Sequence, residues 1–186
     1  MSAARSKREQ VAARPGLRYG VGVRDPHTHL FAVTLEIDRP AQRQLLSLPV
    51  WIPGSYLVRE FSQHLQELRA QMGGKPVDVR QVNKNTWEVA TPAGAGTLTL
   101  SWSVYAFDAS VRTAFLDQTR GFFNPTSLCL RVHGREDEAH LLELLTSPHT
   151  PGWQAATALP PLKTKRNGFG QYLAANYDEL ADSPVE

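Results

Sequence analysis

The residues best suited to binding chemistry lie in one stretch, Tyr105 to Leu130, which reads YAFDASVRTAFLDQTRGFFNPTSLCL. Charged and large aromatic side chains are interleaved there: Asp108, Arg112, Asp117 and Arg120 with Phe107, Phe115, Phe122 and Phe123. Loops that only join strands tend to be short and polar, so this mixture predicts a segment that packs against something or forms a site. We interpret this segment, called the central stretch below, as a recognition or docking surface. A structural ion pair between Arg112 and an aspartate is the alternative.

His27 and His29 form the most metal-like pair among the six histidines. Alternate residues of a strand share one face, so both side chains would point the same way. His29 lies an even number of residues from the apolar Phe31 and Val33, so in a continuous strand its side chain would point into the core with theirs. A catalytic zinc needs a third protein ligand, and no neighbouring side chain offers one. We therefore favour a hydrogen-bonded structural histidine and predict no metal site.

Catalytic signatures are missing from the sequence. It contains no H-E-x-x-H zinc motif, no G-x-S-x-G elbow, and neither of the glycine-rich phosphate loops. The letters DEAH at residues 137–140 resemble a helicase box, but such a box works only beside a phosphate-binding loop. We therefore predict that this chain holds no catalytic residue.

Composition limits the classes of function. The 186 residues carry a net charge of +2, with 41% hydrophobic and 20% charged residues, which is typical of one soluble globular domain. So small a charge argues against nucleic-acid binding, and no apolar run is long enough for a membrane span or a secretory signal. The single cysteine, Cys129, excludes an internal disulfide. We expect a cytoplasmic protein.

Alternating apolar and polar residues predict an all-β fold, an antiparallel β-sandwich with little helix. Residues 1–15 are expected to be a disordered basic leader, and a short helix is possible near the C-terminus. Residues 58–72 fit either a helix or a bulged strand, and Ala139–Leu145 fits a strand or a short helix. The predicted strands are Tyr19–Val23, Phe31–Ile37, Gln44–Ile52, Val77–Val82, Thr86–Ala90, Thr97–Asp108 and Leu128–Val132.

Two further clusters join turn residues to large side chains. One combines residues 53–56 with residues 59–61, and the other spans residues 83–87. For both we favour turn chemistry with buried anchors over a functional role. Arg59 and Glu60 are readily explained as a solvated pair.

Together these segments resemble a known family. The runs WIPGSYLVREF, VNKNTWEV, YAFDASVRTAFLD and RGFFNPTSL are similar to the N-terminal domain of the glycyl aminopeptidases. Those enzymes are zinc metallopeptidases of the gluzincin type, usually with a C-terminal PDZ domain. The resemblance covers Tyr19 to Glu186 in order. Pro125 departs from it, because glycine is expected after Asn124.

The resemblance implies a division of labour. Residues 16–176 would form a noncatalytic β-sandwich that packs on a catalytic domain, and residues 177–186 would be the linker to it. That catalytic domain, absent here, would hold the zinc, so no cofactor is expected in this chain. Because aminopeptidases hold the substrate ammonium with a carboxylate, Asp117 is the expected anchor and Asp108 its substitute. Arg112 would orient the carboxylate, and Tyr105, Phe122 and Phe123 would line the wall.

The expected partners are the chain's own catalytic domain and peptides with a free N-terminal glycine or alanine. A domain built to pack on another should expose an apolar patch near the central stretch or the C-terminus, through which it could self-associate. The alternative is a stand-alone sandwich that binds carbohydrate or protein through Trp51, Trp87 or Trp153. A small hydrolase with an unrecognised site is the third possibility.

Overall fold

The computed structural model describes residues 14–52, 55–92 and 96–186. Most of the predicted leader and the turn expected at Pro53-Gly54 lie outside these residues. The described residues form fourteen strands, two short α-helices and one 3-10 helix at Phe61–His64. In chain order the elements are β1 (Leu17–Asp25), β2 (Leu30–Asp38), β3 (Arg43–Ser47), β4 (Leu65–Met72), β5 (Lys75–Val77), β6 (Val79–Asn83), β7 (Thr86–Ala90), β8 (Thr97–Tyr105), β9 (Ala114–Leu116), β10 (Gly121–Phe123), α1 (Pro125–Leu128), β11 (Arg131–Val132), β12 (His140–Leu145), β13 (Pro161–Thr164), β14 (Gly170–Ala174) and α2 (Tyr177–Ala181).

The strands form three sheets. The largest has eight strands in the order β13-β14-β12-β1-β2-β8-β4-β5, and the second has four in the order β11-β3-β7-β6. Strands β9 and β10 form a separate hairpin. All paired strands are antiparallel except β1 and β12, which run parallel with Tyr19 opposite Leu142. The all-β, mainly antiparallel prediction is confirmed.

The core lies between the two larger sheets, because each turns its apolar face toward the other. Strand β2 alternates buried and less buried residues along its length, and β8 does the same opposite it, with Leu35 paired to Leu100. From the smaller sheet, Leu46 and Val89 are fully buried and belong to the same hydrophobic cluster. No helix among the described residues is long and apolar enough to cross a membrane.

Four strand predictions need correction. The strand predicted for Thr97–Asp108 ends at Tyr105. The strand predicted for Gln44–Ile52 ends at Ser47, because its partner β7 begins opposite that residue, and Leu48 instead bonds the turn residue Asn85. The strand predicted for Leu128–Val132 is the end of α1 followed by β11. Pro125 begins this helix, where its fixed φ suits the first turn. The strand predicted for Val77–Val82 is divided into β5 and β6, which pair in different sheets.

The ambiguous residues 58–72 contain both kinds of structure. The 3-10 helix Phe61–His64 runs directly into β4, whose pairing with β8 shifts between Gln66 and Arg69. Glu67 lies at this bulge with a positive φ of 55°. The apolar spacing fits a helix as well as a strand because the bulge interrupts the two-residue period.

The C-terminal residues pack onto the sandwich. Asn176 caps α2 by accepting a hydrogen bond from the Glu179 N–H, and the Tyr177 hydroxyl donates to the Cys129 carbonyl at 2.9 Å. Val185 is buried and bridges Phe123 and Thr157. The possible short helix near the C-terminus is confirmed as α2. Residues 177–186 are therefore part of the packed domain, and a linker role for them stays a prediction.

Candidate functional site

The central stretch folds back on itself after β8. The Ala106 N–H donates to the His29 carbonyl at 2.8 Å, and the Ala106 carbonyl accepts from the Leu116 N–H at 2.8 Å. Residues 108–113 make a loop in which Asp108 accepts a hydrogen bond from the Ser110 N–H. The β9–β10 hairpin follows. These bonds hold the stretch against the turn that joins β1 to β2.

Aromatic rings form a row along this surface. The His29 ring lies 3.9 Å from the Phe107 ring and 5.9 Å from the Tyr105 ring, centroid to centroid. Phe107 stacks on Phe115 at 5.5 Å, and the Arg120 guanidinium lies 5.9 Å from the Phe115 centroid. Tyr105 and Phe107 are 38% and 54% exposed, so part of each ring is accessible at the surface.

A cavity of about 120 Å³ opens beside this row. The residues that line it come from the 3-10 helix, the end of β8, the loop before β9, and α1. They are Phe61, His64, Val104, Tyr105, Phe107, Asp108, Thr113, Ala114 and Ser127. We call this the Tyr105 cavity.

The polar groups of the Tyr105 cavity suit a ligand that donates hydrogen bonds. Burial lowers the pKa of His64, while the nearby Asp108 opposes that shift, so the imidazole is neutral at pH 7. The Ser127 hydroxyl is buried and has no hydrogen-bond partner among the described residues. The lining set offers one carboxylate, Asp108, and aromatic faces, and this combination attracts an ammonium group.

Asp117 lies in the turn between β9 and β10, outside the Tyr105 cavity. Its Oδ1 accepts three hydrogen bonds, from the Thr119 N–H at 2.7 Å, the Thr119 hydroxyl at 2.7 Å and the Arg120 N–H at 2.9 Å. These three bonds lower the pKa of Asp117, and the bond from the Thr119 hydroxyl has the largest effect. The carboxylate therefore already stabilises its own turn.

The other predicted site residues are scattered. Arg112 is exposed and forms no ion pair with Asp108 or Asp117 within the described part of the chain. Phe123 is only 3% exposed and packs against Phe31 at 5.4 Å, so it belongs to the core. Phe122 is half-buried opposite Phe115 in the hairpin. Of the six predicted residues, the structure brings together only Tyr105 and Asp108.

The two histidines of the H-x-H pair do not share a strand face, so that prediction is wrong. They lie in the turn between β1 and β2, where His29 adopts a positive φ of 59°. His29 Nδ1 bonds the Leu116 carbonyl at 2.6 Å, and His27 Nδ1 bonds Gln118 at 2.9 Å. Within residues 14–52, 55–92 and 96–186, no three His, Cys, Asp or Glu side chains converge to hold a metal. The described residues therefore do not fit a zinc site.

Sequence reasoning missed His64 and Ser127 as cavity residues. The register of β4 on β8 pairs Leu65 with Val104, which places His64 near Tyr105 at 6.3 Å between ring centroids. That neighbourhood depends on pairing between segments far apart in sequence. The apolar pattern of residues 58–72 could not supply the register because it did not distinguish strand from helix.

The alternative function, binding of carbohydrate or protein through exposed tryptophans, cannot use all three of its residues. Trp87 is 6% exposed and packs in the core, so it cannot present its ring to a ligand. Trp153 is half-buried, whereas Trp51 is 54% exposed.

Comparison with known proteins identifies the family. The model of the peptidase M61 N-terminal domain matches residues 18–186, which is nearly the whole chain. The chain belongs to this family. Among curated protein sequences no match is found.

The chain is also similar to several solved structures. An aminopeptidase N family protein from Idiomarina loihiensis is 43% identical with a TM-score of 0.88, over 91% of this chain and 28% of that one. An M1 zinc metallopeptidase from Deinococcus radiodurans is 16% identical with a TM-score of 0.52, over 91% of this chain and 40% of that one. Leukotriene A4 hydrolase from Saccharomyces cerevisiae is 9% identical with a TM-score of 0.52, over 93% of this chain and 28% of that one. The last two show a shared fold alone. This peptidase M61 N-terminal domain spans well under half the length of these relatives.

Proposed function

We propose that this chain is the noncatalytic N-terminal domain of a zinc-dependent glycyl aminopeptidase. In this role it packs on the catalytic domain and helps to form the cleft that binds the free N-terminus of a peptide. The observation that carries the proposal is the family match over residues 18–186, combined with coverage of only 28% of the Idiomarina relative. The zinc and the hydrolytic residues then belong to the catalytic domain.

The central stretch is the surface best suited to face that domain. Its exposed apolar side chains are Tyr105, Phe107 and Val111, the last at 73% exposure. Glu186 lies beside it, since its carboxylate pairs with Arg120 at 3.2 Å. A polypeptide that continues past Glu186 would leave the sandwich at this surface.

Of the two carboxylates proposed to anchor the substrate ammonium, Asp108 has the better support. It lines a cavity with aromatic faces, and the only hydrogen bond that its carboxylate accepts from the described residues is the one from the Ser110 N–H. An ammonium group bound there would meet a carboxylate and the rings of Tyr105 and Phe107. Asp117 would first have to release bonds that hold its turn.

The first test is to extend the reading frame past Glu186. An H-E-x-x-H motif within roughly the next hundred residues supports the proposal. Its absence, together with a failure to copurify with any zinc peptidase, would reject the assignment to an aminopeptidase.

The anchor is tested in that longer polypeptide with Asp108→Asn, Asp117→Asn and the control Asp137→Asn. We expect Asp108→Asn to lower kcat/KM for glycyl anilide by about tenfold or more, because a charge-assisted bond to the ammonium is lost. The control Asp137→Asn should leave kcat/KM unchanged. An unchanged preference for free N-termini in Asp108→Asn would reject this anchor but leave the domain assignment standing.

A further inference from the structure

A second cavity lies between the segment after β3 and the C-terminal helix α2. It measures about 390 Å³, within the size range of ligand sites. Trp51 forms one wall, Tyr177 and Ala181 form the other, and Thr126 of α1 lies between them. None of its lining residues lines the Tyr105 cavity. We call it the Trp51 groove.

The Trp51 groove carries unneutralised negative charge from two aspartates. Asp178 of α2 and Asp182, the residue directly after α2, both line it about one helical turn apart, and both are exposed. Neither carboxylate accepts a hydrogen bond or joins an ion pair within residues 14–52, 55–92 and 96–186. The one cation of the groove, Arg131, is already bound to Glu136 at 2.8 Å. A positively charged group would therefore meet two carboxylates that have no competing partner.

Two further side chains extend the match beyond charge. The Trp51 indole is 54% exposed and lines the groove, and its Nε1 donates to the Ser55 carbonyl at 2.5 Å, which holds one edge of the ring. Indole faces bind cations better than other aromatic rings. Thr126 is 3% exposed, and its hydroxyl has no hydrogen-bond partner among the described residues. A buried hydroxyl without a partner is uncommon in native structures, so Thr126 is free to bond a polar group that enters the groove.

From these contacts we propose that the Trp51 groove binds the cationic side chain of an arginine or lysine presented by a peptide. The aliphatic stem lies along Trp51 and Ala181, and the charged end lies between Asp178 and Asp182. The Thr126 hydroxyl accepts a hydrogen bond from the same ligand. This proposal does not depend on the aminopeptidase assignment.

The test titrates the 186-residue chain with N-acetyl-arginine amide, followed by ¹H–¹⁵N NMR. N-acetyl-citrulline amide is the matched ligand, because it has nearly the same shape without the charge. We expect saturable shifts at Trp51 and α2 with a dissociation constant on the order of 1 mM, as befits so small a ligand. Citrulline should bind about tenfold more weakly, since charge-assisted bonds are about twice as strong as neutral ones.

Variants separate specific binding from general attraction to an acidic surface. Asp178→Asn with Asp182→Asn should weaken arginine binding about tenfold. The control, Asp78→Asn with Asp137→Asn, removes the same charge at exposed positions elsewhere and should leave it unchanged. Thr126→Val should weaken binding severalfold while the spectrum keeps the native fold. Equal binding of arginine and citrulline, equal loss in both double variants, or shifts confined to other surfaces would each overturn the proposal.

Discussion

The hydrogen bonds that a carboxylate already accepts decide what else it can bind. Asp117 and Asp108 look equivalent in the sequence, since each follows an aromatic or apolar residue in the central stretch. The structure separates them: Asp117 Oδ1 accepts three bonds inside its own turn, whereas Asp108 accepts one and lines a cavity. Turn residues of this kind cannot be told from ligand-binding residues by type and spacing alone.

Asp38 is predicted to be the acid-sensitive residue of the large sheet. Its carboxylate accepts bonds from Arg18 at 2.5 and 2.8 Å and from the Thr97 hydroxyl at 2.7 Å. The hydrogen bonds from the Arg18 guanidinium are the main cause that holds the Asp38 pKa far below its ordinary value, and the Thr97 hydroxyl adds to the effect. Because the folded pKa is depressed, the stabilisation is complete above the unfolded pKa of about 3.9 and is lost as the pH falls below it.

Asp38→Asn should therefore destabilise the chain at pH 7 by about 2 kcal/mol, less than for a fully buried pair because the Asp38 side chain is 35% exposed. Urea unfolding at pH 7 and pH 3 measures the effect. The difference between variant and parent should shrink at pH 3. The control Asp137→Asn should be neutral, and an equal loss in both variants would contradict the assignment.

His140 is predicted to make the chain less stable in mildly acidic solution. Burial is the main cause that lowers its pKa, opposed by the Glu138 carbonyl and carboxylate. Its Nε2 is buried without a partner among the described residues, and the ring stacks on Tyr19 at 5.9 Å. The folded pKa lies below the unfolded value of about 6.5, so stability is complete above pH 6.5 and falls as the pH drops through that value.

His140→Phe keeps the stacked ring and removes the titrating group. Its free energy of unfolding should change less between pH 7 and pH 5 than that of the parent chain, as measured by urea unfolding. His64 and His133 also have pKa values lowered by burial, so part of the dependence remains. Identical pH profiles for the two proteins would show that His140 does not contribute.

At the scale of elements, the turn between β13 and β14 fixes the irregular segment around Trp153. The Ala155 N–H donates to the Asn167 carbonyl at 2.8 Å, and Gly168 follows with a φ of +82°. A Cβ at Gly168 would lie 1.9 Å from the Ala155 carbonyl oxygen. We expect Gly168→Ala to destabilise the chain by about 3 kcal/mol, because backbone strain is added to a clash with backbone.

Gly152→Ala is the matched control. Gly152 has a φ of +80°, but a Cβ there would meet nothing within 4 Å. It should cost about 1 kcal/mol, the strain of a left-handed backbone alone. Thermal unfolding of both variants measures the difference, and equal losses would show that the close approach to Ala155 does not restrict the turn.

The strands that sequence predicts well are those with one buried face. Phe31–Ile37 and the first part of Thr97–Asp108 alternate because they are neighbouring strands of the large sheet with one face on the core, and the structure reproduces both. The sequence did not predict the parallel pairing of β1 with β12 or the bulge in β4. Both depend on contacts between distant segments, which local periodicity does not record.

Composition identified the segment of the candidate site but not the orientation of its side chains. The central stretch, chosen for its aromatic and charged residues, borders the Tyr105 cavity in the structure. It could not separate Phe123, which is buried in the core, from Phe107, which is 54% exposed. Aromatic residues of one stretch look alike in sequence, and only their tertiary contacts decide which one turns inward: Phe123 packs on Phe31, whereas Phe107 bridges Phe115 at the surface.

At the scale of the whole molecule, the exposed apolar residues of the central stretch predict association of the isolated chain. Phe107→Ser with Val111→Ser should shift sedimentation toward monomer, because it removes the two most exposed apolar side chains of that surface. Leu162→Ser is the control, since Leu162 is 43% exposed on the edge strand β13. Sedimentation that is concentration-independent for all three proteins would contradict the prediction.

The parallel pairing of β1 with β12 has a consequence for synthesis on the ribosome. During synthesis Leu17 emerges long before its partner, His140, where the strand that covers this side of β1 begins. Until then β1 presents an unpaired edge to solvent and to other nascent chains, and such edges promote aggregation. Since pairing so distant in sequence also slows folding, we expect recovery from denaturant to depend strongly on protein concentration.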